Sequence, residues 1–388
     1  MRSFSHVETP LRVFSGADCL TKLERELSRL GASRAVIVTG GTLSRGPLVA
    51  MIRDAMGARC AGVYAGVKAH TPRSGVEEAA AELSRLNADA VVAVGGGSAV
   101  VTARAASIYL AEGNDLDALC TRRDDSGRMI SPRLGADKIP QVVIPTTPNT
   151  AMVKAGSAVF DEAAGARKAL FDPKTRAQSI FVHPDLLMSA PQGLVVSAAL
   201  DSFTLGIEGL LSKSGDAMSD AALMHAIRLL GPALRIMDGA DGADLRADLA
   251  MAAILCGRGT DHAGAGAGTV LGHAIGANHE VENGIAKAVL MPHVLRFNAG
   301  HATAGMRLLA TALGVGVGET ADPVAGSCNA IAEVFQARRL PEKLADLGIT
   351  RTHLDNIAER GMDDWFLGGN PRPIASADDL VQILDAAL

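Results

Sequence analysis

The stretch "TVLGHAIGANHEVENG", Thr269 to Gly284, holds two histidines and two glutamates in sixteen residues. Imidazole and carboxylate are the donors a divalent transition metal prefers. The spacing suits an ion poorly, because no two of Asp201, His262, His273 and His279 stand three or four residues apart as helical ligands do. The same side chains also serve proton transfer, for which histidine is well matched near neutral pH. His273 in "GHAIGA", His262 in "GTDHAG" and Asp201 in "DSFTL" carry side chains of this kind. The question is whether this chemistry uses a metal.

Two further segments suit a nucleotide. "AVGGGSAVVTARAASIYL" reads as a strand, three glycines and a helix opening at Ser98. Glycines let the backbone approach an anion, and a helix N-terminus offers free N–H groups at its positive end. Gly95, Gly96, Gly97 and Ser98 are therefore the candidate pyrophosphate loop. "IPTTPNT" follows another apolar run and offers the hydroxyls of Thr146, Thr147 and Thr150. Ligands of open α/β sheets bind at loops of this kind, at the carboxyl ends of neighbouring strands.

The elements that must position these groups follow from periodicity. "RAVIVTGG", "AGVYAGV", "DAVVAVGGGS" and "IPQVVIPTT" are continuous apolar runs, as expected of parallel strands covered on both faces. Helical stretches such as "GVEEAAAELSRLN" alternate with them. After "SIFVHPDLLMSAPQG" the strand pattern gives way to long Ala/Leu/Met-rich segments. The expectation is an α/β nucleotide-binding domain over residues 1–185 and an all-helical domain over 186–388, with the junction near Pro184–Pro191.

Composition narrows the function. A chain of 388 residues, 48% hydrophobic, suits a two-domain globular protein. Aromatics at 3% and a net charge of −5 argue against nucleic acid. Five scattered cysteines form no C-x-x-C pair, which argues against a disulfide framework or a zinc ribbon. The N-terminal segment lacks the apolar core of a signal peptide, and no long run is free of charge and glycine. A cytoplasmic enzyme is expected, with no membrane partner.

The order of "GGGS", "IPTT", the helix with Asp201, "GHAIGA", "MPHVLRFN" and "GGNPRPI" resembles the iron-containing, group III alcohol dehydrogenases along nearly the whole chain. The resemblance implies an α/β Rossmann-like N-terminal domain and an all-α C-terminal domain, the dehydroquinate synthase-like superfold. It also implies a cleft between them, a homodimer, and hydride transfer with NAD or NADP on a small alcohol, aldehyde or ketone. By the same resemblance the loops above hold the cofactor, Lys168 lies near the nicotinamide ribose, and His273 lies beside the nicotinamide without ligating metal. Gly40 stands where NAD-preferring relatives carry an aspartate; with Thr42, Ser44 and Arg45 nearby, NADPH should be accepted at least as well as NADH.

The resemblance also exposes departures. The family's metal is held by one Asp and three His; here Asp201 remains, while Leu205, Thr269 and Asn283 occupy the histidine positions. Leucine cannot ligate, and neutral Thr and Asn are weak donors. Val101 and Arg104 replace a family Asp and Lys, and "PNTAMV" replaces the usual continuation of the threonine turn. The expectation is a dehydrogenase without a tightly bound metal, in which His273, helped by His262, polarises the substrate and moves the proton. The alternatives are a metal shell rebuilt from Asp201, His262, His273 and His279, a maleylacetate reductase-like enzyme using Arg167 and Arg258, and a silent nucleotide-binding protein. His183, His293 and His301 are expected to serve structure.

Overall fold

The computed structural model describes residues 4–125, 129–316 and 322–388. The chain divides into two compact units. One is Thr9–Ala190; the other is Pro191–Leu388 with the N-terminal stretch ending at Glu8. The division thus falls after Ala190 rather than after residue 185. The helix Pro184–Met188 stays with the first unit because Leu186 is buried in the core that also holds Ile37, Val92 and Phe181. The N-terminal stretch joins the helices through His6, whose Nδ1 lies 3.0 Å from Asp216.

The first unit is built on strands β1 (Arg12–Ser15), β2 (Ala35–Gly40), β3 (Cys60–Val67), β4 (Ala90–Gly95), β5 (Gln141–Pro145) and β8 (Ala177–Val182). They form one parallel six-stranded sheet in the order β1-β8-β5-β4-β2-β3. The central strands β4 and β5 are buried along their whole length. That is why they read as unbroken apolar runs. Strands β6 (Gly156–Asp161) and β7 (Ala166–Phe171) form a separate antiparallel hairpin. Helix α1 (Gly97–Glu112) leaves the end of β4, opening one residue earlier than Ser98.

The second unit is helical. Helix α2 (Gln192–Leu211) is apolar on nearly every side and forms its core. It is long and apolar enough to cross a membrane by composition, but 83% of that window is buried within the fold. Around it pack α3 (Ala217–Ala240), α4 (Ala243–Ala263) and α6 (Asn283–Asn298), while α5 (Ala267–Asn278) lies against both α2 and α6. Gly284 sets the distance between α6 and α2, since a Cβ there would run into the Ser197 carbonyl and the Asp201 amide. The absent side chain brings the first turn of α6 against the backbone of α2 beside Asp201.

Candidate active site

In the sheet unit, the glycine and threonine loops meet. Gly95 has a φ of 143°, a conformation that favours glycine, and a Cβ there would press on Ala99. The Thr146 amide donates to the Gly95 carbonyl at 3.0 Å, joining the ends of β5 and β4. A Cβ on Gly96 would lie 3.2 Å from the Thr147 hydroxyl. Helix α1 begins without a side-chain cap. Bare backbone at a helix N-terminus, flanked by Ser98, Thr147 and Thr150, fits the pyrophosphate of a dinucleotide. The next polar neighbour has another task. Arg104 is fully buried and donates to the carbonyls of Ala151 and Gly156, so it holds the threonine turn and the hairpin in place.

Gly40 ends β2 and precedes the short helix Gly41–Ser44. The Arg45 guanidinium reaches back to within 3.7 Å of the Cβ position of Gly41. Lys168 stands on the hairpin strand β7, 32% exposed, with its ammonium 3.5 Å from Asp117.

In the helical unit the positions that the resemblance assigns to a metal have the following surroundings. Leu205, one turn beyond Asp201 on α2, is 4% exposed and adds only apolar surface. The Thr269 hydroxyl donates to buried Glu208 at 2.5 Å. Glu208 also accepts from the amides of Gly268 and Thr269, so it caps the start of α5. Burial pushes its carboxyl above the usual range, against the pull of Thr269, the Lys287 charge and these amides. Asn283 turns its amide oxygen over Gly276 on α5. Among the described residues that oxygen has no hydrogen-bond partner.

Where an ion would need these donors, a lysine intervenes. Lys287 follows Asn283 by one turn of α6, is 1% exposed, and sets its ammonium 2.7 Å from Asp201 Oδ1. Its stem crosses α5 at Gly272, where any Cβ would collide with Lys287 Cγ. The approach is that of a salt bridge, with angles outside those of a hydrogen bond. A site already holding an ammonium, one carboxylate, two poor donors and a leucine does not fit iron or zinc.

His273 follows Gly272 on α5. Its Nδ1 lies 2.7 Å from Asp364 Oδ2, and the other Asp364 oxygen accepts from the Phe366 amide at 2.9 Å. With Nδ1–H donating to the carboxylate, Nε2 is the nitrogen left for chemistry. Burial would raise the Asp364 carboxyl, but the His273 charge and hydrogen bond, the Phe366 amide and the Lys287 charge hold it below the usual range. Trp365, the chain's single tryptophan, and Phe366 flank the imidazole at 6.5 and 6.0 Å between ring centroids.

His262 does not assist His273 in this arrangement. It closes α4 and stacks on His6 at 3.7 Å, beside Asp216. A cavity of about 350 Å³ lies there, lined by Phe4, Lys213, Asp216 and His262 among others. His6, Asp216 and His262 bring their donor atoms within 4.8 Å of one another and could take up an ion. The two rings lie nearly parallel, so one must turn before both could face it. The rebuilt shell of Asp201, His262, His273 and His279 is not assembled among the described residues. His279 instead lies 4.9 Å from His353, and its burial, with the His353 charge, holds its pKa down. His183 accepts from the Asp185 amide as a helix cap, a structural role. Arg258 is ion-paired with Glu8, and Arg167 lies beside His70.

Lys287, Asp364 and Glu208 were not legible as site residues. Lys287 reads as a surface charge within "NGIAKAVLM", and Asp364 lies 91 residues from its histidine. "GGNPRPI" locks the site from behind: buried Asn370 exchanges hydrogen bonds with Asn298 at 3.1 and 2.9 Å and accepts from the Ala267 amide at the start of α5.

Comparison with known proteins gives the family and the fold. Residues 10–184 match the iron-containing alcohol dehydrogenase family, and residues 195–388 match the C-terminal domain of the Fe-containing alcohol dehydrogenase family. Lactaldehyde reductase of Escherichia coli K12 is 29% identical over 383 residues, covering 96% of each chain. Maleylacetate reductase of Burkholderia cepacia is 26% identical, covering 96% of this chain and 94% of its own. In fold the chain is similar to a crystal structure of 1,3-propanediol oxidoreductase, with a TM-score of 0.91, 23% identity and full coverage of both chains. The chain belongs to the iron-containing alcohol dehydrogenase family and is an oxidoreductase of alcohols and aldehydes.

Proposed function

We propose that the protein is an NAD(P)-dependent dehydrogenase or reductase of a small alcohol, aldehyde or ketone that works without a catalytic metal. The carrying observation is the use made of the family's ligand positions. Leu205 is apolar, Thr269 is committed to Glu208, and Asp201 already faces the Lys287 ammonium. Gly95, Gly96, Gly97, Ser98, Thr146, Thr147 and Thr150 would hold the cofactor, with Lys168 near it. When bound, the reduced nicotinamide supplies the hydride. His273 gives the proton to the nascent alcohol from Nε2, while Asp364 fixes the ring through Nδ1. Arg45, beside Gly41 and with no carboxylate at Gly40, supports acceptance of a 2′-phosphate and hence NADPH. A dicarboxylate substrate is less well supported, because Arg258 is engaged by Glu8.

The test is preparation without metal-affinity resin, exhaustive dialysis against a chelator, and assay of small aldehydes for cofactor oxidation. Activity should survive. Because His6, Asp216 and His262 could capture an ion unrelated to turnover, metal content is compared with that of His262→Ala. Activity lost on chelation and restored by one transition metal would overturn the reading.

A further inference from the structure

Lys287 is the feature of the helical unit that the reading above leaves without a task. A lysine with 1% of its surface exposed is unusual. Stability does not account for it, since a buried ion pair seldom improves on apolar side chains of similar size. The local structure is nevertheless shaped around this side chain. Gly284 lets α6 close on α2 beside Asp201, and Gly272 opens the path its stem takes across α5. Leu205 and Asn283 add no competing charge.

The ammonium carries three N–H donors. Among the described residues its only polar partner is Asp201, at 2.7 Å and off the line of a hydrogen bond. With one carboxylate beside three N–H donors, the ammonium has donor capacity left for an oxygen from outside the folded chain. Asp201 is the more open member of the pair, with 30% of its side chain exposed. The same ammonium lowers both the Glu208 and Asp364 carboxyls electrostatically, which places its charge within reach of the His273–Asp364 pair.

We propose that Lys287, braced by Asp201 across Gly272, is the electrophile of the reaction: its N–H groups hold the substrate's carbonyl oxygen and then the alkoxide. This rests on the metal-free reading and deepens it. A bound reduced nicotinamide would supply the hydride for the new C–H bond and be oxidised in turn, while the carbonyl carbon is reduced and the C=O π pair moves onto oxygen. Negative charge growing on that oxygen meets the fixed ammonium, and His273 Nε2 donates the proton that completes the alcohol. A preorganised donor aimed at developing charge in a water-poor site is the same device as an oxyanion hole. The substrate class is a neutral carbonyl compound, whose oxygen becomes anionic only in the transition state.

Two experiments test this with the full chain. The first compares Lys287→Ala and the charge-neutral pair Asp201→Asn/Lys287→Met with wild type, using propionaldehyde and glycolaldehyde. A roughly hundredfold or greater fall in kcat is expected, as for loss of an oxyanion donor, with cofactor affinity unchanged. Turnover within threefold of wild type in either variant overturns the proposal. The second uses no turnover. Leu205→His/Thr269→His/Asn283→His is made in a His262→Ala background, which removes the His6–Asp216–His262 cluster, with Lys287 retained and with Lys287→Ala, and each is equilibrated with zinc. Zinc near one equivalent should be held only when the lysine is gone. Zinc held in both forms, or in neither, overturns the placement of the ammonium where an ion would sit. The two readings fail separately: a chelator-sensitive wild type defeats the metal-free function, whereas a chelator-resistant wild type with an active Lys287→Ala defeats only the role of Lys287.

Discussion

Asp364→Asn isolates the part of the proton relay that does not touch substrate. In the folded chain Asp364 Oδ2 lies 2.7 Å from His273 Nδ1, with side-chain exposures of 11% and 22%. Charge centres in such a pair are about 4 Å apart, worth ~4 kcal/mol at an effective dielectric near 20. Partial solvation and the hydrogen bond an asparagine still offers reduce the loss to about 2–3 kcal/mol, the range for a charge-assisted bond. If that stabilisation acts while His273 holds its transferable proton, kcat should fall about 30- to 150-fold. Nicotinamide cofactor affinity should stay within twofold.

A pH arm separates positioning from folding. Asp364 is held below the ordinary carboxylate value of 3.8, despite its burial, by His273, the Phe366 amide and Lys287. A depressed acid contributes stability that is present above the unfolded value and lost as pH falls through the folded one. The stability gap between wild type and Asp364→Asn should therefore be constant near neutrality and shrink below about pH 4. The kcat deficit should instead persist at every pH where both proteins are folded. Chemical denaturation followed by Trp365 fluorescence, with steady-state kinetics on the same samples, reads both. An Asp364→Asn enzyme with wild-type kcat across that range would refute the relay, and a deficit that tracked unfolding would reduce Asp364 to a structural role.

Two other substitutions follow from the same geometry. His273→Asn should lower kcat about a hundredfold or more, as expected for a lost general acid, while a fluorescence titration finds cofactor affinity unchanged; unaltered turnover would remove His273 from the mechanism. Arg45→Ala should weaken NADPH about tenfold, the loss of one charge-assisted contact, and leave NADH unaffected; in the wild type, NADH binding tenfold tighter than NADPH would contradict the assignment.

The sheet's central strands are readable because β2, β4 and β5 are covered on both faces and are mostly apolar, with only Thr39 in β2 and Gln141 at the start of β5 breaking the pattern. The hairpin β6–β7 is not legible because Gly156–Asp161 alternates buried and half-buried positions, and no long apolar run marks it. Strand β1 is an exposed edge of four residues and gives no such signal either. The glycine and threonine loops were legible through local chemistry, and their adjacency follows from the pairing of β4 with β5. The helical site was legible only in its local part. His273 is marked by its own segment, but its partner Asp364 comes from a distant turn. His262 is near His273 in sequence, yet α4 ends facing His6 and Asp216, and Gly264 then breaks the helix before α5 begins. Arg104, which stands in place of a family lysine, is a buried tether for two carbonyls.

The departures at Leu205, Thr269, Asn283 and Lys287 are best understood as one coupled change. A divalent ion at Asp201 would sit about 3 Å from the Lys287 ammonium. The repulsion between them, on the order of 10 kcal/mol at an effective dielectric of 20, exceeds what one carboxylate and weak neutral donors return. On the proposed reading, ion and ammonium exclude each other. Once the ammonium is present, histidines at the other three positions would be buried imidazoles without an ion, each costing about 1–3 kcal/mol if left unpaired. Leucine at 205 removes that cost by burying apolar surface, and threonine at 269 gives its hydroxyl to Glu208. Asparagine at 283 leaves an amide oxygen in the space over Gly276. Gly272 then becomes as necessary as the lysine itself, because any Cβ there would displace the stem that carries the charge. No one of these positions can change alone without leaving an unpaired imidazole, an uncompensated carboxylate at Asp201, or two cations in contact.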